Sequence, residues 1–203
     1  METNTIVVSK SKLQILVSAC LLCTFLVGCG AGSFARQTEG VLNKFSAARQ
    51  GGASAQYLIG KYYENGQFLP VNDDRAADWL ARGAEQGFPH AKYELALLHI
   101  EGRGVPKDLE EANRLMESAA QQGYLLAQRD YVMFLYENAP FALRDPIRAY
   151  AWLGVVQNNN PAQYQNFLAI NNQLAGELSP SDLEQAETLR SVYPGLYRPW
   201  NRR

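Results

Sequence analysis

The chain has 203 residues, 47% of them hydrophobic, which is enough for one domain with a proper core. Its 19 basic and 20 acidic side chains leave a formal charge of −1. That balance lacks the basic face a nucleic-acid partner needs.

At the N-terminus Lys10 and Lys12 precede the run LQILVSACLLCTFLVG (13–28). The run is short of the roughly 20 residues of a membrane-spanning helix. A charged start and an apolar middle predict that residues 1–28 are an export leader. The run closes on Leu26-Val27-Gly28-Cys29, which resembles a bacterial lipobox. The resemblance implies that the Cys29 sulfur receives a diacylglyceryl group and that Cys29 becomes the first residue of the mature chain. A competing box ending at Cys20 leaves too short an apolar stretch after Lys12. A simply cleaved secretory leader and an uncleaved anchor are the alternatives. Gly30 stands where Asp commonly signals inner-membrane retention in such lipoproteins, so the resemblance implies an outer-membrane protein with its body in the periplasm. Cys20 and Cys23 leave with the leader, and the body is then without a disulfide or a cysteine metal site. Residues 29–37 are expected to be the acylated cysteine and a short tether.

From residue 38 onward the sequence repeats. Ala48/Ala84/Ala120, Gln50/Gln86/Gln122, Gly51/Gly87/Gly123 and Ala55/Ala91/Ala127 recur at a constant spacing of 36 residues. A fixed period of this size marks a stacked-repeat protein. A half repeat (38–50) leads into full copies at 55–90 and 91–126. Each copy is broken in its middle, at Gly66–Pro70 and Gly102–Pro106, where Gly and Pro interrupt a helix. The prediction for each is helix, turn, helix. Ala55, Ile59, Tyr62 and Tyr63 share one face of the first helix, as do Ala91, Leu95, Leu98 and His99 in the next copy. Ala76, Trp79 and Ala84 match Ala112, Leu115 and Ala120 in the second helices. Small residues there let helices approach while large ones fill the layers. The pairs Asp73-Asp74 and Glu110-Glu111 fall at the starts of second helices, where negative charge offsets the helix dipole.

Ala55, Ile59, Gly60, Tyr63, Gly66, Ala76, Trp79, Ala84, Gln86 and Gly87 together resemble the Sel1-like repeat, a relative of the tetratricopeptide repeat with a longer inter-helix loop. The resemblance covers about residues 38–192. It implies an all-α fold, a right-handed α/α solenoid of Sel1-like helix-turn-helix repeats.

The third copy (127–160) is degenerate. It keeps Ala149 and Trp152, gains one residue in the loop and replaces its closing Gly with the Asn158–Asn160 run. Its segment YVMFLY (131–136) has strand propensity, yet its place in the period predicts helix. Residues 161–192 are read as a capping helix pair, with Ser179-Pro180-Ser181-Asp182 as a helix start. Atypical ends close the apolar layers of a solenoid. The tail YPGLYRPWNRR (193–203) either caps the last helix or binds.

No catalytic pattern emerges. His90 and His99 carry no metal-ligand spacing, Ser-x-x-Lys occurs only at Ser9–Lys12 inside the leader, and the acidic loops lack the ligand spacing of a calcium site. The expectation is a protein without enzymatic activity, cofactor, metal or small-molecule substrate. In the related tetratricopeptide architecture the first helices line a concave groove. Carried across by register, its exposed positions are Tyr57, Lys61 and Glu64, then Tyr93, Leu97 and Ile100, then Arg129, Met133 and Tyr136. Each trio has the spacing of one helix face. The expected function is a protein-binding adaptor or scaffold. An immunity protein against a secreted toxic effector, and an adaptor for envelope polysaccharide or peptidoglycan assembly, are the alternatives.

The lipobox generates one test. Cys29→Ser is expected to remove acyl mass and leave an uncleaved precursor or a soluble form. Normal processing and outer-membrane partitioning of that variant in a fractionation experiment would refute the lipobox assignment.

Overall fold

Asn72, Asp108 and Asp145 each stop one loop and start one helix. Their side chains accept the backbone N–H of Arg75, of Glu110 and Glu111, and of Arg148 respectively, which satisfies donors that a helix start leaves without partners. Their own backbone N–H groups reach back to the carbonyls of Tyr63 (2.9 Å), His99 (3.1 Å) and Leu135 (3.0 Å). The same two-ended tie therefore sets the bend between the helices of all three repeats.

The computed structural model describes residues 31–138 and 143–196. The chain divides into two units, Met1–Asn43 and Lys44–Arg203. What is described of the first is the beginning of helix α1 (Ala31–Arg49). Residues 31–37, expected to belong to a short tether, lie in this helix. Cys29 lies outside the described residues.

The second unit continues with α2 (Ala53–Asn65), α3 (Asp73–Glu85), α4 (Pro89–Glu101), α5 (Leu109–Gln121) and α6 (Leu125–Met133). A π turn (Phe134–Asn138) extends α6, and α7 (Pro146–Asn159), α8 (Pro161–Tyr164), a 3₁₀ turn (Gln165–Phe167), α9 (Leu168–Glu177) and α10 (Pro180–Leu196) follow. Each of α2 to α7 packs on its neighbours in sequence, and α10 returns onto α7. The result is an all-α solenoid of helix-turn-helix repeats. Each first helix begins two residues earlier than the period suggests.

That early start has a backbone cause. After α3, Gly87 takes φ +85°, its N–H bonds the Ala84 carbonyl at 2.9 Å, and the Phe88 N–H bonds the Gly83 carbonyl at 3.0 Å. Gly123 (φ +83°) and Tyr124 repeat the pattern on Ala120 and Ala119. This is the Schellman turn, which satisfies the last carbonyls of one helix and delivers the chain straight into the next. The degenerate third copy has no such glycine, and Asn160 takes an extended φ of −147° instead.

Between the helices the core alternates small against large. Ile59, Leu80, Leu98, Met116, Tyr131 and Trp152 are fully buried. A Cβ on Gly60 would lie 2.7 Å from the Leu80 Cγ, so that glycine sets how closely α2 and α3 approach. Trp79 is only half-buried, in contrast with Trp152 at its equivalent position. The Arg82 guanidinium covers its ring at 4.9 Å and Phe45 meets it edge-on at 6.3 Å.

Two polar side chains, Gln56 and Gln128, are buried among these apolar layers. Gln56 Nε2 donates to the Ala48 carbonyl at 3.1 Å, and its Oε1 accepts from Gln86 Nε2 at 2.6 Å. Gln128 repeats this with the Ala120 carbonyl (3.1 Å) and Asn159 Nδ2 (3.1 Å). Each amide clamps three consecutive helices, and burial without these partners would cost about 1–3 kcal/mol. Lys92 holds the equivalent position in the middle repeat and bonds Ser118 Oγ at 2.8 Å.

The strand-prone run 131–136 is helical, as its place in the period predicts. The additional residue of the third copy falls between Leu135 and Asp145, the interval in which the helix widens into the π turn. At the end of the chain, Ser179 and Asp182 form a reciprocal cap, Ser179 N to Asp182 Oδ2 at 3.1 Å and Asp182 N to Ser179 Oγ at 3.2 Å. The start of the tail is corrected: residues 193–196 belong to α10, and the buried Tyr193 ring stacks on Trp152 at 4.5 Å and 18°. Residues 197–203 lie outside the described residues.

Gly87 isolates the backbone effect, since no atom lies within 4 Å of a Cβ built there. Gly87→Val is expected to destabilise by about 1–2 kcal/mol through left-handed strain alone. An unchanged melting temperature would remove that role.

Candidate partner-binding face

By repeat register the nine positions on α2, α4 and α6 fall into three rows: Tyr57/Tyr93/Arg129, Lys61/Leu97/Met133 and Glu64/Ile100/Tyr136. Seven of the nine are half-buried, with one part of the side chain toward solvent. Tyr93 and Tyr136 are not: they are 6% and 7% exposed, which corrects the expectation that all nine are open. Tyr93 is covered from the following repeat, because its hydroxyl donates to Asp130 Oδ2 at 2.5 Å and Tyr124 stands edge-on to its ring at 5.2 Å. The Arg144 guanidinium sits over the Tyr136 ring at 5.2 Å.

Charge is concentrated at the α2 end. Lys61 Nζ reaches Glu64 at 2.6 Å and Glu94 at 3.0 Å, and Arg103 reaches Glu64 at 3.7 Å and Asp73 at 2.9 Å. Burial pushes the Glu94 carboxyl up, and the Lys61 ammonium beside it only partly offsets this. For Lys61 itself burial acts downward, but the hydrogen bonds to Glu64 and Glu94 outweigh it and the net shift is upward. Each group thus stabilises the charged state of the other across a repeat boundary. At the other end Arg129 Nη2 donates to Asp130 Oδ2 at 2.7 Å, which fixes its guanidinium beside Tyr93. Leu97, Ile100 and Met133 lie between these charged ends and pack partly onto the core.

Beside the first row lies an aromatic cluster that the register argument missed. His90 stacks on Phe88 (4.8 Å, 17°) and meets Tyr124 at 4.3 Å and Tyr57 at 5.6 Å. Phe88 and Tyr124 are the residues delivered by the two Schellman turns, so the aromatic after each Gln-Gly was the available signal. Burial pushes the Tyr57 hydroxyl up, and it pushes that of Tyr124 up to about 12. His90 Nδ1 is buried with no hydrogen-bond partner, and burial holds the imidazole below its ordinary value. Glu94 and Asp130, which meet Lys61 and Tyr93 respectively across the repeats, were also outside the nine. Among the described residues no group of three or more His, Cys, Asp or Glu could hold a metal ion. His99 closes a loop, its Nδ1 lying 3.2 Å from the Pro106 carbonyl.

The pattern of the Sel1 repeat matches residues 53–88, 89–124 and 124–154, the three helix pairs just described. The chain belongs to the Sel1 repeat family. It is 30% identical to a Sel1 repeat protein from Oxalobacter formigenes of known structure, over 64% of this chain and 97% of that one, with a TM-score of 0.56. The fold is also that of a protective antigen of uropathogenic Escherichia coli displaying an SLR fold, at 23% identity and a TM-score of 0.53 over 80% of this chain and 42% of the other. In sequence it is 35% identical over 95 residues (47% of this chain) to an uncharacterized protein of Neisseria meningitidis serogroup B. It is 37% identical over 79 residues (39% of this chain) to the alginate biosynthesis protein AlgK of Azotobacter vinelandii. The chain spans 20% of the length of the first and 17% of the second.

The fold favours the neutral form of His90, so its contribution to stability is complete above the ordinary imidazole value of 6.5 and declines as pH falls below it. His90→Phe, which preserves the ring stack, is expected to flatten that decline. An equal slope of melting temperature against pH in both proteins would show that His90 is not its source.

Proposed function

We propose that the chain is a membrane-anchored periplasmic lipoprotein that acts as an adaptor, holding a protein partner on the face of α2, α4 and α6. The observation that carries this reading is the arrangement of the three rows across three repeats, fixed by ties that run from one repeat to the next: Lys61 to Glu94, Tyr93 to Asp130 and Arg103 to Asp73. A face held in this way is organised before the partner arrives, and pre-organisation reduces the entropy lost on binding. Its mix of Tyr and Arg with Leu, Ile and Met suits a peptide or protein loop, since aromatics, Met and Arg are the residues enriched at interfaces. The lipobox-like sequence at Cys29 supports the anchor.

The similarity to AlgK, an alginate biosynthesis protein, favours a second reading in which the partner belongs to an envelope polysaccharide assembly. Both readings place the work in binding rather than in chemistry.

The test is capture of partners from detergent-solubilised envelope by the wild-type protein and by Leu97→Glu with Met133→Glu. Both positions are half-buried in one row, so their new carboxylates can reach water while spoiling the apolar centre of the face. Capture is expected to fall at least tenfold, about 1.4 kcal/mol, with the helical circular-dichroism signal unchanged. Full capture by that variant would remove this face as the binding surface.

A further inference from the structure

The loop between α2 and α3 departs from its sibling in an unusual way. Between α4 and α5 the chain reads Gly102-Arg103-Gly104-Val105-Pro106-Lys107; the equivalent run between α2 and α3 reads Gly66-Gln67-Phe68-Leu69-Pro70-Val71. Both loops need a left-handed residue at their third position. Gly104 fills it at φ +67°, but Phe68 fills it at φ +73°, making it the one non-glycine residue with positive φ among the described residues. Left-handed backbone is costly for a residue that bears a side chain, and an outlier of this kind is a starting point for a functional hypothesis.

The strain does not serve the core. Phe68 is 49% exposed and Val71, which stands where the sibling loop has Lys107, is 63% exposed. Pro70 between them is also exposed, and no charged residue stands between Glu64 and Asp73. Behind this apolar tip lies a polar aromatic collar. The Phe68 ring meets Tyr62 edge-on at 5.1 Å, and Lys44 Nζ donates to the Tyr62 hydroxyl at 2.7 Å. Apolar side chains outermost, then a tyrosine and a lysine with polar ends, is the order of groups that suits a lipid-water boundary.

The position in the chain points to the same occupant. Lys44, which bonds Tyr62 behind the loop, is the first residue of this unit, and from it the chain runs toward its N-terminus. Upstream, outside the described residues, stand the apolar run 13–28 and Cys29. We infer that the loop Gly66–Asn72 rests in the headgroup and acyl boundary of the bilayer, with Phe68 and Val71 inserted, as a second membrane contact in addition to the N-terminal anchor. The inference rests on the proposed anchorage and adds to it an orientation. The lipid anchor holds the chain at the membrane but leaves its body free to turn, and a second membrane contact gives the body one pose.

The experiment uses the full protein reconstituted in vesicles of phosphatidylethanolamine and phosphatidylglycerol. Flotation reports anchorage. Nitroxide labels on Phe68→Cys and Val71→Cys report the loop; Lys107→Cys is the water-side control, and the unsubstituted protein is the blank for its own cysteines. The expected result is flotation together with an oxygen-to-nickel-chelate accessibility ratio at 68 and 71 at least about threefold that at 107, as for groups inside the interface. Flotation with equal ratios at all three positions would overturn the loop contact and leave the anchor standing. Absence of flotation would overturn the anchor and the loop contact with it. Dipolar broadening between labels on different molecules, with both reagents excluded, would show a second copy on the tip and overturn the lipid assignment.

Discussion

The path of the repeat array depends on where the backbone can turn left-handed. Gly87 and Gly123 close α3 and α5 with φ near +85°, values that an L side chain resists. Because each turn sends its next residue straight into a helix, α4 and α6 start at the same offset from the helix before them. Register, and with it every cross-repeat contact, follows from that offset. Phe88 and Tyr124 emerge from these turns already pointed at His90.

Fixed register makes precise polar contacts possible between side chains far apart in sequence. The buried Gln56 and Gln128 amides each satisfy a helix carbonyl on one side and accept an amide on the other. Such contacts contribute modestly when made and are expensive when broken, so they select one helix spacing over neighbouring ones. The ion pairs Lys61–Glu94 and Arg103–Asp73 act more weakly at the surface. Their effect is to hold the candidate face in one arrangement rather than to stabilise the fold.

Much of this was legible in the sequence, for a physical reason. Helix pairs, their Gly and Pro breaks, the acidic first turns and the closing glycines are local properties that repeat at one spacing, so three copies vote on each. The shielding of Tyr93 was not legible, because it comes from Asp130 and Tyr124 in the next repeat rather than from the residues around it. The π turn that extends α6 was not legible either, since the surplus residue of the third copy was placed in the loop and the spacing carries no sign of a widened helix. Tyr193 was read as the first residue of the tail, and its place in α10 was not legible because it rests on the stack with Trp152, far away in sequence.

The return of α10 onto α7 has a bearing on where the array ends. Gly154 is bare where Arg190 crosses it, and a Cβ there would lie 2.2 Å from the guanidinium Nε. The far surface of α7 is thereby fitted to one particular helix rather than to a generic neighbour. The surfaces that match from one repeat to the next run from α2 to α7, and α10 covers the last of them from the side rather than continuing the series.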